Sequence, residues 1–260
     1  MSIEHSAFSI QHLALIRLPA RKTPLLEALI YRALTRPALR RTFHRIAVGG
    51  DEPGPSSLPT LLYANHPSWW DGYMAFFLSD ERWRREAYLM MEEPQLARYS
   101  FFRYCGVFGV DRHDPREGMR SIIYAADLLG RRPGRLLWIF PQGEITPNDR
   151  RPLGLFRGAA HIAKRAAPVR CVPVALRFEF VMEQRPEALI RFGPAHTVKP
   201  DVDAKALHSE MEARLTAEVD HLRDDVIEGR TAQYVTALEG RDSVNVRWDK
   251  FRAWMRRRSS

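Results

Sequence analysis

His66 and Asp71 stand five positions apart in the segment Asn65-His66-Pro67-Ser68-Trp69-Trp70-Asp71, where the chain carries its clearest chemical signal. Pro67 favours the first position of a helix, which makes His66 the expected N-cap. In a strict helix, residues five apart point in different directions. A histidine in non-helical conformation at the cap can instead swing back toward a carboxylate on the second turn. Asp71 would then orient one imidazole nitrogen while the other faces a substrate. That is the base-and-orienter half of a catalytic triad. Ser68 and the backbone amides at the helix start are candidates for holding an anion or a developing oxyanion. The competing reading is a plain structural cap.

A strand must deliver this segment, and a helix must carry Asp71. Residues 61–64 read as a buried strand and 67–78 as the helix. Further along, 87–91, 107–110, 135–140, 171–177 and 188–192 read as strands, and 118–130 and 158–167 as helices. This alternation predicts an α/β fold with a mixed central sheet flanked by helices. Helical additions are expected at both ends. Residues 1–45 hold eight basic side chains against Glu4 and Glu27, with Ile10, Leu13, Ile16, Leu25, Leu26, Leu29 and Ile30 at helical spacing, broken by Pro19 and Pro24. Residues 208–225 read as a charged amphipathic helix. In 226–260, Trp248, Phe251, Trp254 and Met255 fall on one helical face with an arginine rim. Both ends suit either an anionic membrane surface or a helix docked on the core. The division is thus a basic N-terminal segment (1–45), a central domain (46–225) and a basic C-terminal extension (226–260).

Further blocks follow the His-Asp segment in a fixed order. They are Gly106-Val107-Phe108-Gly109-Val110-Asp111-Arg112, Phe140-Pro141-Gln142-Gly143-Glu144, Phe156-Arg157-Gly158-Ala159, Val172-Pro173-Val174-Ala175-Leu176 and Ile190-Arg191-Phe192-Gly193-Pro194. The set resembles the glycerolipid acyltransferases, the 1-acylglycerol-3-phosphate acyltransferase superfamily, over residues 45–225. The resemblance implies His66 as general base on an acceptor hydroxyl that attacks an acyl thioester, with Asp71 orienting it. It implies Arg112 as the group that binds the acceptor's phosphate. Ser68, Gln142, Gly143, Glu144 and Arg157 would complete the acceptor site, and Pro173 would shape the acyl pocket. Trp69 and Trp70 are candidates for an acyl groove or for packing. Acyl-CoA or acyl carrier protein would be the co-substrate, with no metal or organic cofactor.

The third block departs from the family pattern, Phe-Pro-Glu-Gly-Thr-Arg. Gln142 stands for its Glu, and Glu144-Ile145 stand for its Thr-Arg. A lysine common before the second block is also absent, with Met90 and Met91 in that region. Lost positive charge and an added carboxylate argue against a lysophosphatidate acceptor, although Arg150 or Arg151 would restore charge by swinging in. A sugar, an amino-alcohol lipid or a glycosylated lipid hydroxyl fits better. Two alternatives stay open: a standard 1-acylglycerol-3-phosphate acyltransferase making phosphatidic acid, and a non-catalytic membrane-binding protein on the same scaffold.

The net charge is +9, and only five of 40 basic residues are lysine. Such a surface prefers anions, and arginine suits phosphate and carboxylate. No nucleic-acid-binding signature accompanies the charge, so a nucleic-acid partner is not expected. Cys105 and Cys171 are too few for a disulfide framework and lack metal-ligand spacing. Neither a signal sequence nor a membrane-spanning run is evident. The expectation is a cytoplasmic protein, peripheral to the inner (plasma) membrane, whose partners are the lipid surface and the acyl donor.

Overall fold

Residues 60–64 and 136–139 are buried at every position, as parallel strands covered on both faces require. They lie at the centre of a nine-stranded sheet. The computed structural model describes residues 16–241 and, beyond them, Trp248, Arg252, Trp254, Met255 and Arg256. Its elements are α1 (Pro24–Ile30), α2 (Arg36–Thr42), β1 (Arg45–Gly50), β2 (Thr60–Ala64), α3 (Asp71–Phe76), β3 (Ala87–Glu92), α4 (Glu93–Arg98), β4 (Val107–Val110), α5 (Pro115–Gly130), β5 (Leu136–Ile139), α6 (Gly158–Ala166), β6 (Val169–Glu179), β7 (Glu187–Phe192), β8 (His196–Val198), α7 (Ala204–Ile227) and β9 (Val235–Glu239).

The strand order is β4-β3-β5-β2-β6-β7-β1-β9, with β8 pairing the start of β6. The first five strands of that order are mutually parallel. β7 returns antiparallel beside β6, β1 runs parallel to β7, and β9 closes the edge antiparallel to β1. Alternate residues of each strand serve opposite faces. Leu61, Tyr63, Leu137 and Ile139 pack with α5, α6 and α7, including Tyr124, Ile162 and Leu215. Leu62, Ala64, Leu136 and Trp138 pack with Leu39, Phe43, Met74 and Leu96 from the α2, α3 and α4 side. The mixed sheet between two helical layers agrees with the expected class.

Three local expectations change. The helix after His66 starts at Asp71, not Pro67, with Trp70 as its N-cap. The reason is that the backbone N–H and carbonyl of His66 and the N–H of Ser68 find partners outside a helix, as the site below shows. Residues 16–18, expected to close the first of two short helices broken at Pro19 and Pro24, are not helical. Ile16 is buried in the core, and Leu18 carbonyl accepts the Gly109 N–H at 2.9 Å, so this segment packs against β4. Residues 235–239, placed in a helical extension, form β9, because β1 leaves an open edge that they pair. Ile10, Leu13 and Phe251 lie outside the described residues. Trp248, Trp254 and Met255 are helical and exposed. Among the described residues, no helix is long and apolar enough to cross a membrane.

Candidate active site

Parallel strands bring the loops at their carboxyl ends to one side of a sheet, where α/β proteins place their sites. Here β2, β3, β4 and β5 deliver His66, Glu92, Arg112 and the 140–145 loop to one cavity of about 790 Å³. His66 is anchored from several directions. Its backbone N–H donates to Gln142 Oε1 at 2.7 Å, and its carbonyl accepts the Thr146 N–H at 2.9 Å. Its ring stacks on Phe140 with centroids 4.8 Å apart. Asn65, just before it, bonds the Leu176 backbone with both ends of its amide, at 2.7 and 2.9 Å, and so fixes the end of β2 to β6.

His66 Nδ1 lies 2.6 Å from Asp71 Oδ2. The same oxygen accepts the Ser68 N–H at 3.0 Å, which closes the 66–71 loop. Nδ1 is thus occupied, and Nε2 is the nitrogen left to the cavity that His66 lines. Asp71 is fully buried, and its Oδ1 has no hydrogen-bond partner. Burial pushes its carboxyl up to about 6, against the pull of His66 and the Ser68 amide.

The rest of the expected site divides. Arg112, Gly143, Glu144, Arg157 and Trp69 line the cavity with His66. Arg112 is ion-paired with Glu92, and its guanidinium lies 5.8 Å from the Phe156 ring centroid. Gly143 has φ +71, the left-handed region that favours glycine, and a Cβ there would crowd Arg112 Nη1 at 2.7 Å and the Phe156 ring at 2.9 Å. Glu144 is exposed and stands 3.8 Å from Arg150. Arg157, which precedes α6, is in no ion pair among the described residues. Arg151 does not swing in, because Asp220 of α7 holds it at 2.5 Å.

Four expected residues do not line the cavity. Gln142 is buried behind His66 and donates from Nε2 to Thr146 Oγ1 at 2.6 Å, so it positions the loop rather than meeting an acceptor. Ser68 uses its N–H on Asp71 and its hydroxyl on the Trp70 N–H. Trp70 packs edge-on against Phe43 and Tyr73. Pro173 is buried within β6, opposite Tyr63 of β2.

Sequence reasoning missed one wall of the cavity. Tyr73, Phe76, Tyr99 and Phe102 form a chain of ring contacts, with centroids 6.1 to 6.4 Å apart, and Trp69 joins it through Tyr99 at 5.4 Å. The aromatic run between Arg98 and Cys105 was the available signal. Burial pushes the thiol of Cys105 up to about 12 and that of Cys171 higher still, so neither is an activated nucleophile.

A sheet of this order between two helical layers is the frame of an acyltransferase, as the family match shows. The Acyltransferase family model matches residues 45–177, and the chain belongs to that family. Among solved structures, it is similar to the 1-acyl-sn-glycerophosphate (LPA) acyltransferase PlsC from Thermotoga maritima. The two are 15% identical, with a TM-score of 0.53 over 85% of this chain and 89% of that one. At that identity the likeness is one of fold. No curated protein sequence matches the chain.

Proposed function

We propose that this acyltransferase moves a fatty acyl group from an acyl thioester, acyl-CoA or acyl carrier protein, to the hydroxyl of a lipid-like acceptor without a phosphate monoester. His66 Nε2 takes the hydroxyl proton as the oxygen attacks the thioester carbonyl. When the tetrahedral intermediate collapses, the C–S bond breaks and His66 returns the proton to the leaving thiolate. Asp71 holds the ring in the tautomer with the proton on Nδ1 and stabilises the imidazolium between the two steps. Such assistance is worth roughly 10²–10⁴-fold. The aromatic wall from Trp69 to Phe102 is the seat of the acyl chain, and the acceptor comes from a membrane surface on the cytoplasmic side.

The charge of the cavity carries the acceptor assignment. Its lining holds two carboxylates, Glu92 and Glu144, against two guanidiniums, Arg112 and Arg157. A phosphate monoester would have to displace Glu92 from Arg112 and lie near Glu144. The second reading, phosphatidic acid formation, is favoured by unpaired Arg157. Wild type and His66→Ala are compared with palmitoyl-CoA and palmitoyl carrier protein as donors, against lysophosphatidate and against neutral or glycosylated lipid hydroxyls. Transfer to a phosphate-free acceptor, at least about a hundredfold lower in His66→Ala, supports the proposal. Preferential formation of phosphatidic acid overturns the acceptor assignment, and an unchanged rate in His66→Ala overturns the mechanism.

A further inference from the structure

The hairpin between β6 and β7 is the second candidate functional feature. β6 pairs with β2 as far as Val174 opposite Ala64, and then continues to Glu179 with only β7 beside it. Those five extra residues project about 16 Å beyond the end of β2. They project on the side where β2 delivers His66, and Asn65 is bonded to Leu176 partway along the projection. At its tip Phe180 is 72%, Val181 46% and Met182 89% exposed. A soluble surface rarely presents three consecutive large apolar side chains on a protrusion without a partner for them.

Positive charge rings the base of this tip. Pro186 carbonyl accepts the His44 N–H at 2.9 Å, Arg185 Nη1 donates to Arg241 carbonyl at 2.8 Å, and Arg241 N–H donates to Arg40 carbonyl at 2.7 Å. Arg40, Arg185 and Arg241 are therefore neighbours, Arg41 follows Arg40 in the same helix, and none of the four is in an ion pair among the described residues. Of the acids around the hairpin, Glu179 binds Arg177 and Glu187 binds Arg45, and Glu183, beside Met182, has an interaction of its own. Glu239 is the exposed carboxylate that remains. On the same end of the sheet, the cavity mouth exposes Trp69, Ile145 and Phe156.

We infer that the β6–β7 hairpin is a membrane wedge: Phe180, Val181 and Met182 enter an anionic lipid surface, and the four arginines bind its headgroups. An apolar tip collared by unpaired arginine matches the layering of such a surface. Docked this way, the molecule faces the bilayer with its cavity mouth, so an acceptor passes from lipid to His66 without crossing water. That purpose rests on the proposed lipid acceptor, whereas the contact itself does not.

The test is cosedimentation of the full chain with vesicles of phosphatidylcholine, with and without phosphatidylglycerol. Wild type is expected to bind the anionic vesicles, and to release at high salt. Phe180→Asp/Met182→Asp should weaken binding at least about tenfold. Arg40→Gln/Arg41→Gln should weaken it and flatten its salt dependence. In Met182→Trp, the tip fluorescence should be quenched by brominated acyl chains, a readout that needs no destabilising change. Wild-type failure to bind, unchanged binding in the Asp pair, or an unquenched Trp overturns the wedge. So does an Asp pair that alters the oligomeric state alone, because the tip is then a contact between copies. Transfer to a detergent-dispersed acceptor should be equal in wild type and hairpin variants. Its absence from wild type defeats the acyl-transfer reading and leaves the vesicle result standing.

Discussion

Gln142 Oε1 holds the backbone N–H of His66 at 2.7 Å, so the loop after β5 sets the position of the base delivered by β2. The same side chain donates to Thr146 and, at 3.3 Å, to the Leu153 carbonyl. One amide therefore accepts and donates, which a carboxylate cannot do without a proton. Gln142→Ala leaves several buried polar groups without partners and is expected to cost about 1–3 kcal/mol in stability. It should lower kcat more than it raises KM. Urea melts alongside steady-state kinetics check both, and a pure KM effect would place Gln142 at the acceptor instead.

Asp71 carries a stability cost that serves its role. Its folded carboxyl titrates near 6, above the ordinary 3.8. Between those values the folded state binds more protons than the unfolded state, so stability falls as pH rises through that window and stays lower above it. The penalty therefore grows from acid to neutral pH. Asp71→Asn removes it, and the variant's melting temperature should exceed that of wild type by a margin that grows from acid to neutral pH. Its turnover should fall by roughly 10⁴-fold, because the amide can donate to Nδ1 and so favour the tautomer in which Nε2 is no longer a base. Calorimetry across pH, paired with turnover, tests the exchange.

The pH profile of wild type follows from the same group. Transfer needs Asp71 ionised, so kcat should rise with pH through about 6 and then level. A profile without an acid limb in that region would mean that Asp71 is ionised throughout, or that it is dispensable.

Glu92 is the expected determinant of acceptor charge. Its ion pair with Arg112 occupies the guanidinium that the alternative, phosphate-bearing acceptor would need. Glu92→Gln frees Arg112 and should raise the rate on a phosphate-bearing acceptor relative to a neutral one by about tenfold or more. A competition assay with both acceptors in one tube measures the ratio, and an unchanged ratio would show that Arg112 does not face the acceptor.

Phe76 and Phe102 stack with centroids 6.1 Å apart along the cavity wall. Filling this wall by Phe76→Trp should cut kcat/KM for long-chain donors more than for short-chain donors, by about tenfold. A donor series of increasing length gives the profile.

The strands that place the site were legible because their apolar runs are short, buried and bounded by turn residues. The end of the helix Pro115–Gly130 and the core of Ala204–Ile227 were legible from their periodicity. The pairing of His66 with Asp71 was anticipated, but through a helix cap that does not exist. No local pattern announces that Thr146 and Gln142 take the backbone groups of His66. The Glu92–Arg112 pair was hidden for the same reason: β3 and β4 bring together residues 20 positions apart. Val235–Glu239 went unread because a short edge strand carries little apolar signal, and Val235 is itself exposed.

The sheet also constrains how the protein is made. Among the described strands β1 leaves the ribosome first, yet its partners are β7 and β9, Ile46 lying opposite Ala188 and Leu238. At ordinary elongation speeds the first of these emerges roughly 10–30 s later. Throughout that interval the buried edge formed by Ile46, Ala47 and Val48 has no native cover. Synthesis of this chain therefore passes through a long aggregation-prone stage, and a nascent chain stopped short of β9 would keep one sticky edge permanently. The β1 pairing thus sets chaperone demand as well as final stability.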